Sequence, residues 1–305
     1  MELIKPNTNI NFVGKRVIAI TFSLILILAG IVSLVIKGGP SYGIDFAGGS
    51  LVQVKFTQDT SAAKVREALK PLALHGMTIQ QFGPKPDEFL VRAQESSSEL
   101  ESLATKIQST LETTYGSGKV EIRRAEMVGP KVSQSLRNKG LMAVLFSIIG
   151  MLIYITWRFE FRFGAGAVIA LFHDVLITLA LFSFLNKQID LTIVAAFLTI
   201  VGYSVNDTVI VCDRIRENMA KYPKEKLEPV INRSINETLS RTVMTSGMTM
   251  LAVVALYLFG GNVIHNFAFA MMVGIIVGTY SSIFVASPVI LFWEGFKEKK
   301  KAAAA

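Results

Sequence analysis

Residues 17–36 read VIAITFSLILILAGIVSLVI, a run without a single charge, framed by Lys15, Arg16 and Lys37. A hydrocarbon core about 30 Å thick requires about 20 apolar residues of α-helix. The run is therefore long enough to cross a bilayer. It exceeds the apolar core of a signal peptide, and no small-residue cleavage site follows it, so it reads as an uncleaved signal anchor.

Outward from this span, the next stretch of comparable hydrophobicity begins at Leu141. Five further spans follow, at 141–157, 163–185, 191–212, 239–259 and 266–293. The last is longer than a crossing needs, so it is expected to tilt, and its Pro288 is expected to kink it. Composition agrees with six spans: 51% of residues are hydrophobic and 18% charged, against about 25% charged in soluble domains. Soluble, disordered and collagen-like classes are excluded. The net charge of +8 belongs, in so apolar a chain, to the cytoplasmic ends of spans rather than to nucleic-acid binding. Cys212, the single cysteine, supports neither an intrachain disulfide nor, with three scattered histidines, a zinc site.

Basic residues set the orientation. Lys5, Lys15, Arg16, Arg158, Arg162, Arg214, Arg216, Lys221, Lys224, Lys226, Arg233, Arg241, Lys297 and Lys299 to Lys301 fall on one side. The short loops of the other side hold only Lys187. Both termini are thus expected in the cytoplasm. The expected organisation is an N-terminus and first span over 1–37, an extracytoplasmic domain and juxtamembrane segment over 38–137, five spans over 138–294 and a basic tail over 295–305.

The outer segment carries its own fold pattern. Val52, Val54 and Phe56 alternate with polar positions, as do Met77 with Ile79 and Phe89 with Val91, and Val120 with Ile122 marks a last strand. Val65, Ala68, Leu69 and Leu72 recur at helical spacing, as do Leu100, Leu103, Ala104, Ile107 and Leu111 behind a capping-box pattern, Ser98-Glu99-Leu100-Glu101. The run Gly83-Pro84-Lys85-Pro86-Asp87 reads as a turn. The order β-α-β-β-α-β is the ferredoxin-like unit. Its stripes are core, and the fold alone says little about function. The chain is expected to be a membrane α-helical protein of six spans with one extracytoplasmic α+β ferredoxin-like domain between the first two.

Charges at mid-membrane depth cost a few kcal/mol and point to function. Asp174, beside His173, lies near the middle of the third span, and Asp207 lies in the fourth within Gly202-Tyr203-Ser204-Val205-Asn206-Asp207-Thr208. Arg241 and Thr242 open the fifth, ahead of Thr245, Ser246 and Thr249. At 1.5 Å per residue Asp207 and Arg241 reach similar depths, so a contact between them is expected. That contact reads either as a structural pair or as a proton site, with Asp207 taking up and releasing a proton and Arg241 controlling its charge by approach and retreat. One proton crossing about 150 mV carries about 3.5 kcal/mol. Asp174 is a second candidate; His173 points about 100° away and need not act with it. Gly202, Gly247 and Gly274 allow close helix approach. Residues 229–240 carry an amphipathic stripe of Ile231, Ile235 and Leu239, expected on the inner membrane surface or on a partner. No Walker A motif, nucleophile elbow or metal-ligand spacing is present, and no enzyme is expected.

Several runs together resemble the SecD/SecF family of protein-export membrane proteins, relatives of the RND transporters. They are Gly43-Ile-Asp-Phe-Ala-Gly-Gly49, Val128-Gly-Pro130, His173-Asp174, the stretch from Gly202 to Glu217, Arg241-Thr242, Thr245-Ser246 and Leu258-Phe-Gly-Gly261. Ser133 and Ser135 depart from the family's Gly and Glu, Met248 from a common threonine and Cys212 from phenylalanine. The resemblance implies a SecD partner, association with the SecYEG translocon, contact with the translocating preprotein and membrane lipid, and protons as the coupling ion without any cofactor, metal or nucleic acid. The residues themselves point to Asp207 as the protonatable carboxylate, Arg241 as its charge partner, Asn206 as a polar neighbour in the same relay and Asp174 as a secondary candidate. Two rivals stand beside this reading: an autonomous RND-like exporter of small molecules and a non-conducting scaffold of the translocon.

Overall fold

The computed structural model describes residues 8–83, 85–93 and 100–302. The chain divides into two compact units, a helical one (up to Ser41, Leu141–Lys187 and from Thr192 on) and an α+β one (Tyr42–Gly140 with Gln188–Leu191).

The helical unit contains α1 (Arg16–Ile36), the later part of α5 (Pro130–Arg158), α6 (Phe161–Phe184), α7 (Leu191–Lys221), α8 (Leu227–Phe259), α9 (Gly261–Ser281) and α10 (Ser287–Ala302). Among the described residues, six stretches are long and apolar enough to cross a membrane, Val13–Ile36, Pro130–Arg158, Phe161–Phe184, Leu191–Lys221, Leu227–Phe259 and Val263–Gly295. Large apolar side chains such as Phe22, Ile25, Leu145, Phe146 and Leu251 remain exposed on α1, α5 and α8, as lipid-facing helices require, whereas α6, α7 and α9 are the most enclosed. Phe163, Leu171, Val201, Ile215, Ile231, Ile235 and Ile290 share one buried core.

Three features refine or correct the sequence-based expectation. Residues 229–240 are not a separate surface helix: they open α8, and the stripe of Ile231, Ile235 and Leu239 is buried against Ile215 and its neighbours in the same core. Polar bonds close this hairpin, with Asn218 Nδ2 donating to Ser234 Oγ at 3.0 Å and to Glu237 Oε2 at 2.7 Å, and Arg214 Nε donating to Glu237 Oε2 at 2.6 Å. An apolar stripe of that width finds a partner inside the chain once the fourth helix runs on past Cys212 to Lys221. Second, the last span is not one continuous α-helix. A π-helical turn, Ser282–Ala286, precedes Pro288, which has no N–H for the preceding turn, and Ser287 Oγ donates back to Ser282 O at 3.0 Å. Third, a Cβ on Gly202 or Gly247 would meet nothing within 4 Å, so neither mediates close packing in this chain.

The α+β unit contains α2 (Ile44–Ala47), β1 (Gly49–Phe56), α3 (Ala62–Leu69), β2 (Thr78–Gln81), β3 (Glu88–Ala93), α4 (Leu100–Tyr115) and β4 (Val120–Val128). The sheet order is β2-β3-β1-β4, with every pair antiparallel. This is the expected β-α-β-β-α-β arrangement. Val52 pairs with Val91 and Val54 with Phe89, so the alternating residues reach one face together. There they meet Val65 and Leu69 of α3 and Leu103, Ile107 and Leu111 of α4. A bulge between Gln53 and Val54 shifts the register against β4. Ser61 caps α3, its Oγ accepting from Lys64 N at 3.4 Å. The capping-box residues Ser98 and Glu99 and the turn residue Pro84 lie outside the described residues. Gly48 and Gly49 adopt positive φ of 76° and 106°, which lets the chain turn from α2 into β1. A Cβ on Gly48 would stand 3.2 Å from Ser133 Oγ and 3.4 Å from Val128 O. Residues 188–191 belong to this unit through two bonds: Gly43 N donates to Ile189 O at 2.8 Å, and Leu191 N donates to Asp45 Oδ2 at 2.9 Å. Burial pulls the Arg92 guanidinium below its ordinary value, while Asp190 and Asp45 pull it back up.

Candidate functional site: two buried carboxylates between the enclosed helices

Both intramembrane acids lie inside the helical unit, each 1% exposed. They depend on one close helix contact. Gly274 and Gly278 of α9, a small-xxx-small pair, face α7: a Cβ on Gly274 would stand 2.3 Å from Ile200 Cγ1, and one on Gly278 would stand 3.1 Å from Ser204 Cβ. Small residues let membrane helices approach until backbone-proximal groups touch. Ser204 and the residues just past Gly278 are thereby brought to the same place.

The first carboxylate, Asp174, accepts hydrogen bonds at Oδ2 from Ser204 Oγ at 2.5 Å and Ser281 Oγ at 2.9 Å. Its Oδ1 lies 3.0 Å from His173 Nδ1. The expectation that these neighbours need not act together is therefore corrected. Backbone Cβ directions 100° apart do not keep the two side chains from touching, because each has a second polar atom free for the other: Asp174 uses Oδ2 for its serines and His173 uses Nε2 for Ser23, which leaves Oδ1 and Nδ1 to meet. His173 Nε2 continues to Ser23 Oγ at 2.9 Å, Ser23 to the Tyr280 hydroxyl at 3.0 Å, and that hydroxyl donates to Ala19 O at 2.7 Å. The His173 and Tyr280 rings stack with centroids 5.9 Å apart.

The second carboxylate, Asp207, accepts at Oδ2 from Ser246 Oγ at 3.0 Å, and Ser246 is in turn 2.8 Å from Thr279 Oγ1. Ser246 has one proton and gives it to Asp207, so Thr279 donates to Ser246. Asp207 Oδ1 is buried with no hydrogen-bond partner among the described residues, as are Tyr203 Oη and Thr242 Oγ1. A buried polar atom left unsatisfied costs about 1–3 kcal/mol, and unsatisfied groups cluster where function requires them.

Asp207 and Arg241 are not in contact: among the described residues Asp207 makes no ion pair, and Arg241 is exposed. Asn206 is exposed as well, because the helical turn places it about 100° from its neighbour. The residues that do hold the acids are serines, a threonine and a tyrosine. Of these, Ser23, Thr279, Tyr280 and Ser281 carried no signal beyond being hydroxyls in an apolar run. Thr279, Tyr280 and Ser281 are consecutive, sit at the end of α9 directly before the π-helical turn, and serve both carboxylates. Such turns recur at functional sites.

Comparison with known proteins sets this geometry in a family. The model described as "Protein export membrane protein SecD/SecF, C-terminal" matches residues 106–295, and the "SecD/SecF GG Motif" model matches residues 32–60, which include Gly48 and Gly49. Protein translocase subunit SecF of Magnetococcus marinus is 44% identical over 99% of this chain and 98% of that protein. The subunit of the same name from Desulfurispirillum indicum is 46% identical over 93% of this chain and 91% of its own. Among solved structures, SecDF of Thermus thermophilus, described as a translocon-associated membrane protein, superposes with a TM-score of 0.86 at 36% identity, covering 97% of this chain and 40% of that one. SecDF in a super-membrane-facing form gives 0.72 at 36% identity, over 100% and 41%. This chain thus spans well under half of the SecDF chains it resembles. Matched along almost its entire length by proteins of one name, and carrying both family motifs in order, the chain belongs to the SecD/SecF family of protein export membrane proteins.

Proposed function

We propose that this chain acts as the SecF subunit of the Sec protein translocase and, paired with SecD at the SecYEG channel, couples the proton-motive force to the completion of preprotein movement across the cytoplasmic membrane. The observation that carries the proton step is Asp207: a carboxylate buried in a membrane-spanning helix, held by a hydroxyl and by no lysine or arginine among the described residues. Its charge is not locked by an ion pair, so protonation can change without breaking one. The exposed Arg241 is assigned to a different step of the cycle, in which its approach to Asp207 fixes the ionised form; Asn206 is its polar neighbour and Asp174 the secondary site. The distribution of basic residues supports an orientation with both termini in the cytoplasm and the α+β unit outside. The SecDF chains, of which this chain matches 40–41%, support a separate SecD that supplies the remainder.

The test is precursor export in cells carrying Asp207→Asn at matched protein level, after co-purification with SecD has been verified. Asparagine keeps size and hydrogen bonding but does not ionise. Gradient-dependent export is expected to drop to the level of cells lacking the protein. Normal export with intact assembly supports the scaffold reading instead.

A further inference from the structure

The Asp174 cluster permits an inference about proton occupancy, because the donors and acceptors along it can be counted from one fixed end. A backbone carbonyl only accepts, so the Tyr280 hydroxyl spends its single proton on Ala19 O. In the contact between Ser23 and Tyr280, Ser23 must then be the donor, which spends its single proton as well. Were Ser23 instead to donate to His173, two lone pairs would face each other at 3.0 Å across the Tyr280 contact. His173 Nε2 therefore carries a hydrogen and donates to Ser23. A neutral imidazole protonated at Nε2 has a bare Nδ1, and that nitrogen lies 3.0 Å from Asp174 Oδ1. The contact holds only when a proton lies between them, either on the carboxyl or as the second proton of an imidazolium. The other oxygen of Asp174 is already committed as acceptor to Ser204 and Ser281, the latter sharing its proton with Gly278 O at 3.1 Å.

We propose that His173 and Asp174 form a single proton-binding site which holds one proton between Nδ1 and Oδ1 at zero net charge, with the Ala19–Tyr280–Ser23 chain fixing the imidazole tautomer, and whose discharge breaks the His173–Asp174 contact. Without that proton, two acceptors would face each other at 3.0 Å, so the contact opens as the proton leaves. The use of the site in transport rests on the proton-coupled reading above; its occupancy does not.

Other charges do not interfere. Arg16, the only titratable side chain on α1, pairs with Glu228, and Arg162 at the start of α6 pairs with Glu294. On α9 the titratable groups are Tyr280 itself and His265, which stacks on Tyr257 with centroids 3.9 Å apart. The π-helical turn carries none. On α7, Asp207 is bonded to Ser246 of α8. Among the described residues no lysine or arginine touches either member of the pair.

The experiment is 15N solid-state NMR of the histidine-labelled full chain, co-reconstituted with SecD in lipid vesicles, with His173→Gln identifying the signal among the three histidines. Nε2 of His173 is expected to carry a hydrogen. Loss of the shared proton is expected to remove the dipolar contact between His173 and Asp174 with it. In Tyr280→Phe the Ser23 hydroxyl is freed to donate to Nε2, and the bare nitrogen is expected to move from Nδ1 to Nε2. A wild-type spectrum with bare Nε2, or a tautomer that ignores Tyr280→Phe, overturns the proposal. Proton-independent export with the expected spectra removes the coupling reading and leaves the site standing.

Discussion

Gly274 of α9 faces Ile200 of α7 so closely that a Cβ on the glycine would lie 2.3, 2.5 and 3.0 Å from three carbons of the isoleucine side chain. Ile200 is 1% exposed and β-branched, with little rotamer freedom in a helix. Neither partner yields without moving a helix. Gly274→Ala is expected to destabilise the chain by about 1–3 kcal/mol, read as a lower midpoint of thermal unfolding in detergent. In an Ile200→Ala background, where the clash is gone, the same Gly274→Ala change should cost much less. Gly202→Ala and Gly247→Ala, where the new methyl meets nothing, should leave the purified chain unchanged or slightly stabilised, by up to about 1 kcal/mol of helix propensity.

Among the described residues Asp207 is bonded at one oxygen, Oδ2, by Ser246. A hydrogen bond to a charged group contributes about 1.5–3 kcal/mol, so Ser246→Ala should weaken the fold by that order while Asp207 is present. With Asp207→Leu in the background the same change should cost little. A double-mutant cycle on unfolding reads the coupling directly; additive effects would contradict a bond that matters in the folded state.

Asn232 secures the segment before the first span. Its Oδ1 accepts from Phe12 N at 2.9 Å and Val13 N at 3.2 Å, and its Nδ2 donates to Ile10 O at 3.0 Å. Asn232→Ala removes all three bonds and is expected to speed protease cleavage and amide exchange over residues 8–15 several-fold or more, at about 1 kcal/mol per bond. Asn232→Asp keeps the accepting oxygen and should lie between the two. Equal protection in wild type and Asn232→Ala would show the segment is held by Phe12 packing and the two Asn236 bonds to Ile10 instead.

Asp45 accepts from the first N–H of α7 at 2.9 Å, a bond of capping type contributing about 0.5–2 kcal/mol. Asp45→Asn retains the accepting oxygen and should be close to neutral. Asp45→Ala should raise amide exchange at Leu191 and lower unfolding midpoints by that order. A similar loss in both variants would point to the carboxylate charge, acting on Arg92, rather than to the hydrogen bond.

Much of this molecule was legible in the sequence because hydrophobic periodicity is a local property. The uncharged run of 17–36 marks a span whatever surrounds it, and the alternation of Val52, Val54 and Phe56 marks a strand whose register then follows from burying one face. The family motifs were equally local, and so was the presence of Asp174 and Asp207 in apolar helices. What the tertiary structure alone decided is which groups meet them. Similar depth made Arg241 a reasonable partner for Asp207, but depth does not fix the direction a helix face points, and α8 turns Arg241 outward while Ser246 turns in. Gly202 and Gly247 looked as suited to close packing as Gly274, yet a Cβ on either would meet nothing, while Gly274 of α9 lies directly against Ile200 of α7. His173 and Asp174 became one site because Ser23, from a helix 150 residues away in sequence, meets Tyr280 and orders the protons between them. Hydrogen-bond partnership depends on the rotation of each helix about its own axis, and that rotation is set by packing among all of them.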